Sequence, residues 1–173
     1  FSDKDYEYIK EYIISKDESF NGQVGHETIP ISNTLVKLPI WMGSMDKKHK
    51  PIDQSKVTLS DKLDGVSCLV ESKNNKIKLY TRGNGSHGKD ITHLAQGINN
   101  INTSPKNDYM IRGELIMKKA TFSILKDKES NARNTVSGFV NSKTMKKKYV
   151  EKVDFVAYEV IEPKGLKPTD QYD

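Results

Sequence analysis

The sequence is short of the residues that would build a disulfide framework, a membrane span or a P-loop. It holds one cysteine in 173 residues, which excludes an internal disulfide and a cysteine-cluster zinc site within this chain. No apolar run is long enough to cross a bilayer, and no signal-peptide pattern opens the sequence. The Gly-x-x-x-x-Gly-Lys-Ser/Thr pattern of a P-loop is also missing. We therefore expect an intracellular, soluble protein with no membrane partner.

The charge balance is mildly basic. The chain carries 28 lysines and arginines against 23 aspartates and glutamates, a net charge of +5, which is compatible with a polyanionic partner but does not demonstrate one. A chain of this length is expected to form one domain, or most of one, with its own core. Cys68 alternates with valines, so we interpret it as a small core residue rather than a nucleophile.

The most informative stretch is residues 57–70, where two alternating apolar runs meet at Lys62. The pattern predicts an extended segment that ends at Lys62 and a second strand that begins at Val66. Partial burial or a nearby cation would there favour the neutral lysine amine, which is a nucleophile. Asp64 could accept a hydrogen bond from the amine, and Gly65 would permit a sharp turn and close approach of a ligand. The alternative is that these residues form only a hairpin turn.

An apolar segment with two possible roles lies at residues 36–46. Pro39 keeps it from forming a helix or a central strand. We favour its interpretation as core cover anchored by Trp41. The alternative is a wall of a nucleotide pocket, which Gly43 and Ser44 would let a ligand approach closely.

Two further predicted strands place charged residues at defined positions. Residues 77–82 alternate and end at Arg82, which is either a surface charge or a ligand-binding residue at the start of a glycine-rich loop. Residues 109–117 carry Glu114 inside a mostly apolar strand, where an unpaired carboxylate is costly to bury. We therefore expect Glu114 to have a partner, which would be a structural salt bridge, a ligand hydroxyl or a metal ion. Residues 153–161 predict another buried strand.

Five blocks stand in one order along the chain, and their order and spacing resemble the adenylation domain of NAD-dependent DNA ligases. The blocks are Lys62-Leu63-Asp64-Gly65, Thr81-Arg82-Gly83-Asn84-Gly85, Gly88-Lys89-Asp90-Ile91-Thr92, Arg112-Gly113-Glu114 and Asn131-Ala132-Arg133-Asn134. The stretch Met42-Gly43-Ser44-Met45-Asp46 is similar to that family's Met-Leu-Ser-Leu-Asp stretch. The resemblance covers about residues 24–161.

The resemblance implies an α+β nucleotidyltransferase fold, ATP-grasp-like, with antiparallel sheets and flanking helices around a nucleotide cleft. It implies an NAD-dependent DNA ligase reaction with Mg²⁺, in which the Lys62 amine attacks the α-phosphorus of NAD and expels nicotinamide mononucleotide. The AMP of the resulting lysyl-AMP would pass to a DNA 5′-phosphate, and a nick in duplex DNA would be sealed in replication and repair.

The resemblance also implies roles for individual residues. Lys62 and Asp64 would be catalytic, with Asp64 orienting the lysine. Glu114 would hold the adenylate ribose and could also ligate the metal. The implied nucleotide-binding residues are Ser44, Met45, Ser60, Lys62, Arg82, Glu114 and Arg133.

The sequence departs from the family pattern at three positions. Ser60 stands in place of a glutamate, Asn84 in place of an aspartate and Ala132 in place of a proline. The module that grips nicotinamide mononucleotide is not recognisable before Gly22, and the later Asp-Gly-Val-Val-Ile-Lys block and the zinc-finger, helix-hairpin-helix and oligonucleotide-binding regions are missing.

These departures lead us to expect a single adenylation domain over residues 1–173 that is incomplete at its C-terminal side. It would comprise a peripheral helix and loop at 1–21, a catalytic core at 22–162 and a linker-like tail at 163–173. We expect that a second chain or further domains complete the ligase, and that this chain does not seal nicks alone.

Two alternatives remain open. An ATP-dependent DNA or RNA ligase would use the same lysine chemistry with ATP, so labelled NAD and labelled ATP distinguish it by which one adenylates Lys62. A non-catalytic DNA-binding module that keeps the fold would bind duplex DNA with a strong salt dependence. Its binding would not change in Lys62→Ala.

Overall fold

The computed structural model describes residues 3–16, 35–43, 60–125, 131–142, 149, 151–167 and 169–171. The predictions for Ser44 and Met45, and for the strand at residues 57–59, lie outside the described residues. The chain divides into two compact units, Phe1–Ile31 and Ser32–Asp173. In the described part of the chain, no helix combines the length and the apolar character that crossing a membrane requires.

The first unit contains the helix α1 (Asp3–Lys16). It was expected from the apolar residues at helical spacing, and it ends at a lysine, whose charge suits the C-terminal end of the helix dipole. Four large side chains of α1 are exposed, namely Tyr8, Ile9, Tyr12 and Ile13.

The second unit is built around a five-stranded sheet of order β3-β2-β6-β7-β5. Its strands are β2 (Val66–Lys73), β3 (Lys76–Thr81), β5 (Ile98–Asn99), β6 (Tyr109–Ile116) and β7 (Val153–Glu162). A second, two-stranded sheet pairs β1 (Leu35–Lys37) with β4 (His87–Lys89). The strands predicted at residues 66–70, 77–82, 109–117 and 153–161 are confirmed.

The predicted antiparallel pairing does not hold at one pair, because β5 runs parallel to β7. The 3₁₀ helix Thr92–Gly97 carries the chain from β4 to the far edge of the sheet. There β5 adds beside β7, which is itself antiparallel to β6. The remaining pairs, including β2 with β3 and β2 with β6, are antiparallel.

A tight hairpin joins β2 and β3. Asn74 and Asn75 both have positive φ angles, 52° and 60°, which is the type I′ turn that matches the twist of two antiparallel strands. Asparagine tolerates this backbone region better than most residues. The hairpin therefore fixes the register of β2 against β3.

Two helices follow β6, α2 (Lys119–Leu125) and α3 (Ala132–Val140). Asn131 caps α3, because its side chain accepts a hydrogen bond from the Asn134 amide at 2.8 Å. Val136 and Phe139 of α3 are fully buried in the main core, and the helix packs against β2 and β6. This packing directs the first turn of α3 to the start of β2.

The expected core anchor, Trp41, is exposed over 63% of its surface, so that prediction is wrong. The backbone of the segment bonds to the loop after β3, with the Leu38 amide donating to Ser86 at 2.9 Å and the Met42 amide to Gly85 at 2.8 Å. These two bonds turn Leu38 and Met42 inward, where both are buried. Trp41 is left outside.

The described part of the C-terminal tail makes one contact with the sheet. Residues Thr169–Gln171 form a 3₁₀ helix, and the Gln171 side-chain oxygen accepts a hydrogen bond from the Val160 amide of β7 at 2.7 Å. The linker-like character of residues 163–173 stays a prediction.

Candidate active site

A cleft of about 270 Å³ opens where β2, the end of β3 and α3 meet. Two guanidinium groups and several small polar side chains line it. The lining residues are Gly65, Val66, Ser67, Thr81, Arg82, Gly83, Arg133, Asn134 and Ser137. The block from Lys62 to Gly65, the block around Arg82 and the block around Arg133 are thus brought together at one place.

Glu114 lies beside this cleft, directly opposite Ser67 in the ladder between β2 and β6. The Ser67 hydroxyl donates to Glu114 Oε2 at 3.0 Å. Burial raises the pKa of Glu114, while the bond from Ser67, the charge of Arg133, the Gly65 amide and the charge of Arg82 each lower it. Glu114 therefore has a partner, as expected, but that partner is the hydroxyl of Ser67, which is none of the three kinds that the sequence analysis considered.

The two arginines reach the cleft from different elements. Arg82 follows the last residue of β3, as predicted, and Arg133 lies in the first turn of α3. Arg133 Nη1 donates to Asp64 Oδ1 at 3.1 Å, and both side chains are more than half exposed. The predicted orienting residue, Asp64, thus contacts an arginine of the same cleft.

Lys62 differs from its predicted setting. Residues 60–64 have an irregular conformation, so the predicted strand does not continue to Lys62, and the Lys62 side chain is exposed rather than partly buried. The reason is that the ladder of β2 begins only at Val66. No neighbouring strand among the described residues covers the lysine.

Gly65 is needed for a reason that the sequence did not indicate. A Cβ at this position would overlap the Leu115 carbonyl oxygen of β6. The missing side chain therefore lets the start of β2 approach β6, while Gly65 also lines the cleft. This approach also brings the Gly65 amide to Glu114.

The departures from the family pattern that the structure describes are accommodated locally. Asn84 Oδ1 accepts from the Ser86 amide at 3.1 Å and from the His87 amide at 2.8 Å, so an uncharged amide closes the loop after Arg82. Ala132 is the first residue of α3, a position where proline is favoured but a good helix former also fits. Ser60 is exposed.

Tyr158 was missed by the sequence reasoning and lies beside Glu114. The register of β6 and β7 shifts between Arg112 and Gly113, which leaves Tyr158 as the extra residue of a β-bulge. Its pKa is raised by burial first and then by the charge of Glu114, and the Ser67 hydroxyl opposes the rise as a hydrogen-bond partner. The sequence signal was the aromatic residue itself, but a bulge cannot be anticipated from alternation.

Arg112 fastens the segment before Ser44 to the sheet. Its Nη1 donates to Glu159 Oε2 of β7 at 2.7 Å, and its Nη2 donates to the Trp41 carbonyl at 3.0 Å. Arg112 Nε is buried and has no partner among the described residues. Residues 35–43 are therefore held against β6 and β7 at the point where the chain continues to Ser44 and Met45.

The cleft has the chemistry of a nucleotide phosphate site. Two guanidinium groups favour a phosphate by charge and by bidentate hydrogen bonding, and the N-terminal end of α3 adds a favourable dipole. A half-buried carboxylate suits sugar hydroxyls. Among the residues that the structure describes, no group of three or more His, Cys, Asp or Glu side chains is placed to hold a metal ion. Mg²⁺ commonly uses one or two carboxylates together with substrate phosphates, so Glu114 fits it only in that partial role.

Comparison with known proteins gives a family and several relatives. A model of the NAD-dependent DNA ligase adenylation domain matches residues 34–172. A DNA ligase of Acanthamoeba polyphaga mimivirus is 42% identical over 94% of this chain and 28% of its own length. A putative DNA ligase of Invertebrate iridescent virus 6 is 40% identical over 87% of this chain and 26% of its own length.

A bacterial relative is more distant. A DNA ligase of Mycoplasmopsis agalactiae is 31% identical over 67% of this chain and 18% of its own length. The chain therefore spans between about a fifth and about a quarter of the length of these curated relatives.

Proposed function

This chain belongs to the family of NAD-dependent DNA ligase adenylation domains, and on that premise we propose that it transfers AMP from NAD to the side chain of Lys62. The AMP then passes to a 5′-phosphate at a nick in duplex DNA, so that the whole protein acts as a DNA ligase in replication and repair.

One observation carries the proposal: the segment that bears Lys62 is joined to the cleft at its last two residues. Asp64 contacts Arg133 at 3.1 Å, and Gly65 itself lines the cleft. A nucleotide bound between Arg82, Arg133 and Glu114 would therefore lie within reach of this short segment. The exposure of Lys62 leaves its amine accessible to such a nucleotide.

The nucleotide-binding roles follow from the charges. Arg82 and Arg133 would hold the phosphate oxygens and stabilise the negative charge that develops there in the transition state. Glu114 would accept hydrogen bonds from ribose hydroxyls, and the Tyr158 ring offers an aromatic surface next to it. Ser44, Met45 and Ser60 stay predicted contacts of the nucleotide.

In the covalent step, the lone pair of the neutral Lys62 amine attacks the α-phosphorus. The bond between that phosphorus and the oxygen of nicotinamide mononucleotide breaks, the mononucleotide leaves with the electron pair, and the amine loses a proton. Asp64 is proposed to help orient the lysine, and its contact with Arg133 would be replaced by one with the lysine amine. Bound Mg²⁺ would neutralise phosphate charge, and Glu114 is the described carboxylate that could contribute to its site.

Intact-mass spectrometry after incubation with NAD and Mg²⁺ tests the proposal. We expect a mass increase of one adenylyl group per chain and the release of an equivalent amount of nicotinamide mononucleotide. A parallel incubation with ATP tests the alternative donor. An adduct with ATP but not with NAD would replace the proposed donor, and no adduct with either would contradict the proposed activity.

A further inference from the structure

The hydrogen bond from Ser67 to Glu114 joins a cleft-lining hydroxyl to the carboxylate expected to bind ribose. The two residues face each other across β2 and β6, the Oγ–Oε2 distance is 3.0 Å, and Ser67 lines the cleft. The resemblance to ligases assigns no role to this serine. Its position makes it a direct neighbour of the nucleotide site.

Such a restraint matters because two cations lie near enough to act on the carboxylate. Arg82 and Arg133 both act electrostatically on Glu114, and a guanidinium can take both oxygens of a carboxylate at once. The terminal torsion of a glutamate is also broad and only weakly restricted by itself. A carboxylate captured by either arginine would have its oxygens turned away from a ribose.

We propose that Ser67 is a positioning residue, which holds Glu114 by Oε2 and so leaves Oε1 to accept a hydrogen bond from a ribose hydroxyl of the adenylyl group. This inference rests on the proposed function. Tyr158, the bulged residue of β7, lies close enough to the same hydroxyl and carboxylate for both to shift its pKa.

The inference is tested by removing each hydroxyl that is proposed to bond to Glu114, the one of Ser67 and the one of the ribose. Single-turnover adenylation is measured for the wild type and Ser67→Ala with NAD and with NAD analogues whose adenosine ribose lacks the 2′- or the 3′-hydroxyl. With NAD we expect the second-order rate constant of adenylation to fall about tenfold in Ser67→Ala, the size of one hydrogen bond to a charged group. With the analogue that lacks the Glu114-bound hydroxyl, we expect the wild type and the variant to react at the same rate.

Equal losses in Ser67→Ala with all three donors would overturn the inference, because Ser67 would then act only on the structure. An unchanged rate with NAD would overturn it as well. Failure of the wild type itself to form an adduct with NAD would contradict the proposed function instead, so the two failures are distinguishable.

Two matched comparisons separate positioning from stability. Ser67→Thr keeps the hydroxyl, and Ser67→Val has the shape of the threonine variant without the hydroxyl. We expect the threonine variant to recover most of the adenylation activity and the valine variant to behave like Ser67→Ala. If Ser67→Ala does not fold, this pair decides the question, since equal activity of the two would overturn the inference. Ser72→Ala is the control, because Ser72 is a buried serine of the same strand that donates to the Asn107 carbonyl at 2.5 Å, away from the cleft.

Discussion

The two halves of the candidate site are built in opposite ways. Glu114 and Ser67 sit opposite each other on the central strands of the sheet, half-buried and hydrogen-bonded. Lys62 sits on an irregular, exposed segment that precedes β2. Ser67 and Glu114 are therefore fixed by the sheet, whereas Arg133 is more than half exposed and Lys62 is joined to the cleft through Asp64 and Gly65.

Because of this difference, nucleotide binding and the adenylation of Lys62 are expected to depend on different parts of the chain. Because the Lys62 side chain is exposed, the described part of the protein does not enclose its amine. The guanidinium groups of the cleft and the bound nucleotide would have to supply the setting in which the amine reacts. Substitutions on the sheet should thus change both stability and nucleotide binding, whereas substitutions on the exposed segment should change chemistry alone.

The largest effect is expected at the nucleophile. Lys62→Arg should abolish the AMP adduct, because a guanidinium remains protonated and cannot attack phosphorus. Its free energy of unfolding should stay within about 0.5 kcal/mol of the wild type, as for other exposed substitutions. Urea unfolding measures the stability of the variant, and calorimetric titration with NAD measures its nucleotide binding. Loss of NAD binding together with the adduct would show that the lysine segment also contributes to binding.

The next largest effect is expected at the carboxylate. Glu114→Gln keeps an oxygen that can accept from Ser67 but removes the charge between the two arginines. We expect adenylation to fall about 100-fold, the size of a lost transition-state contact. The matched variant Glu159→Gln removes a carboxylate from β7 that pairs with Arg112, and adenylation should fall much less in that case.

The same variant has a defined effect on the pH dependence of stability. Burial raises the pKa of Glu114 in the folded chain, so the folded state holds this proton to higher pH than the unfolded state. The contribution of Glu114 to stability is therefore greatest below the ordinary carboxyl pKa and falls as the pH rises through the raised value. The difference in unfolding free energy between wild type and Glu114→Gln, measured by urea unfolding across this range, should follow that fall; a flat difference would contradict it.

A smaller, structural effect is expected at Arg112. Arg112→Lys can satisfy Glu159 or the Trp41 carbonyl but not both with the geometry of a guanidinium. We expect a loss of about 1–3 kcal/mol of stability. Trp41 is the single tryptophan, so its fluorescence reports on this segment directly. An unchanged emission spectrum and unchanged stability would show that Arg112 does not hold residues 35–43.

The smallest effect is expected at the exposed ion pair. Asp64→Asn should lower the free energy of unfolding by about 0.5 kcal/mol or less, because both partners are more than half exposed and salt screens the interaction. The difference from wild type should shrink further in high salt. A loss comparable with that of Arg112→Lys would show that the two halves of the site are more tightly joined than their exposure indicates.

Much of the sheet could be predicted because its signals are local. The alternation of β2 and the two asparagines of its hairpin are each read from adjacent residues. The parallel pairing of β5 could not be predicted, since it depends on where the chain crosses the sheet. The burial of Trp41 was predicted wrongly for a related reason, because two backbone hydrogen bonds to a loop distant in the sequence decide which face of the segment is buried.

The candidate site was predictable in composition but not in arrangement. Lys62, Arg82, Glu114 and Arg133 were identified from their blocks, and three of the four meet at or beside one cleft. Ser67 and Tyr158 were missed, because their roles arise from strand register and from a bulge. The exposure of Lys62 was missed because alternation continues in the sequence before the strand begins in the structure.

Peptide mapping of the adenylated chain tests the central claim most directly. After incubation with NAD and Mg²⁺, the chain is digested at neutral pH and the modified residue is located by tandem mass spectrometry. The account predicts one AMP, on Lys62 alone, through an acid-labile phosphorus–nitrogen bond. AMP on any other residue, or an unmodified Lys62 in a chain that carries AMP, would contradict it.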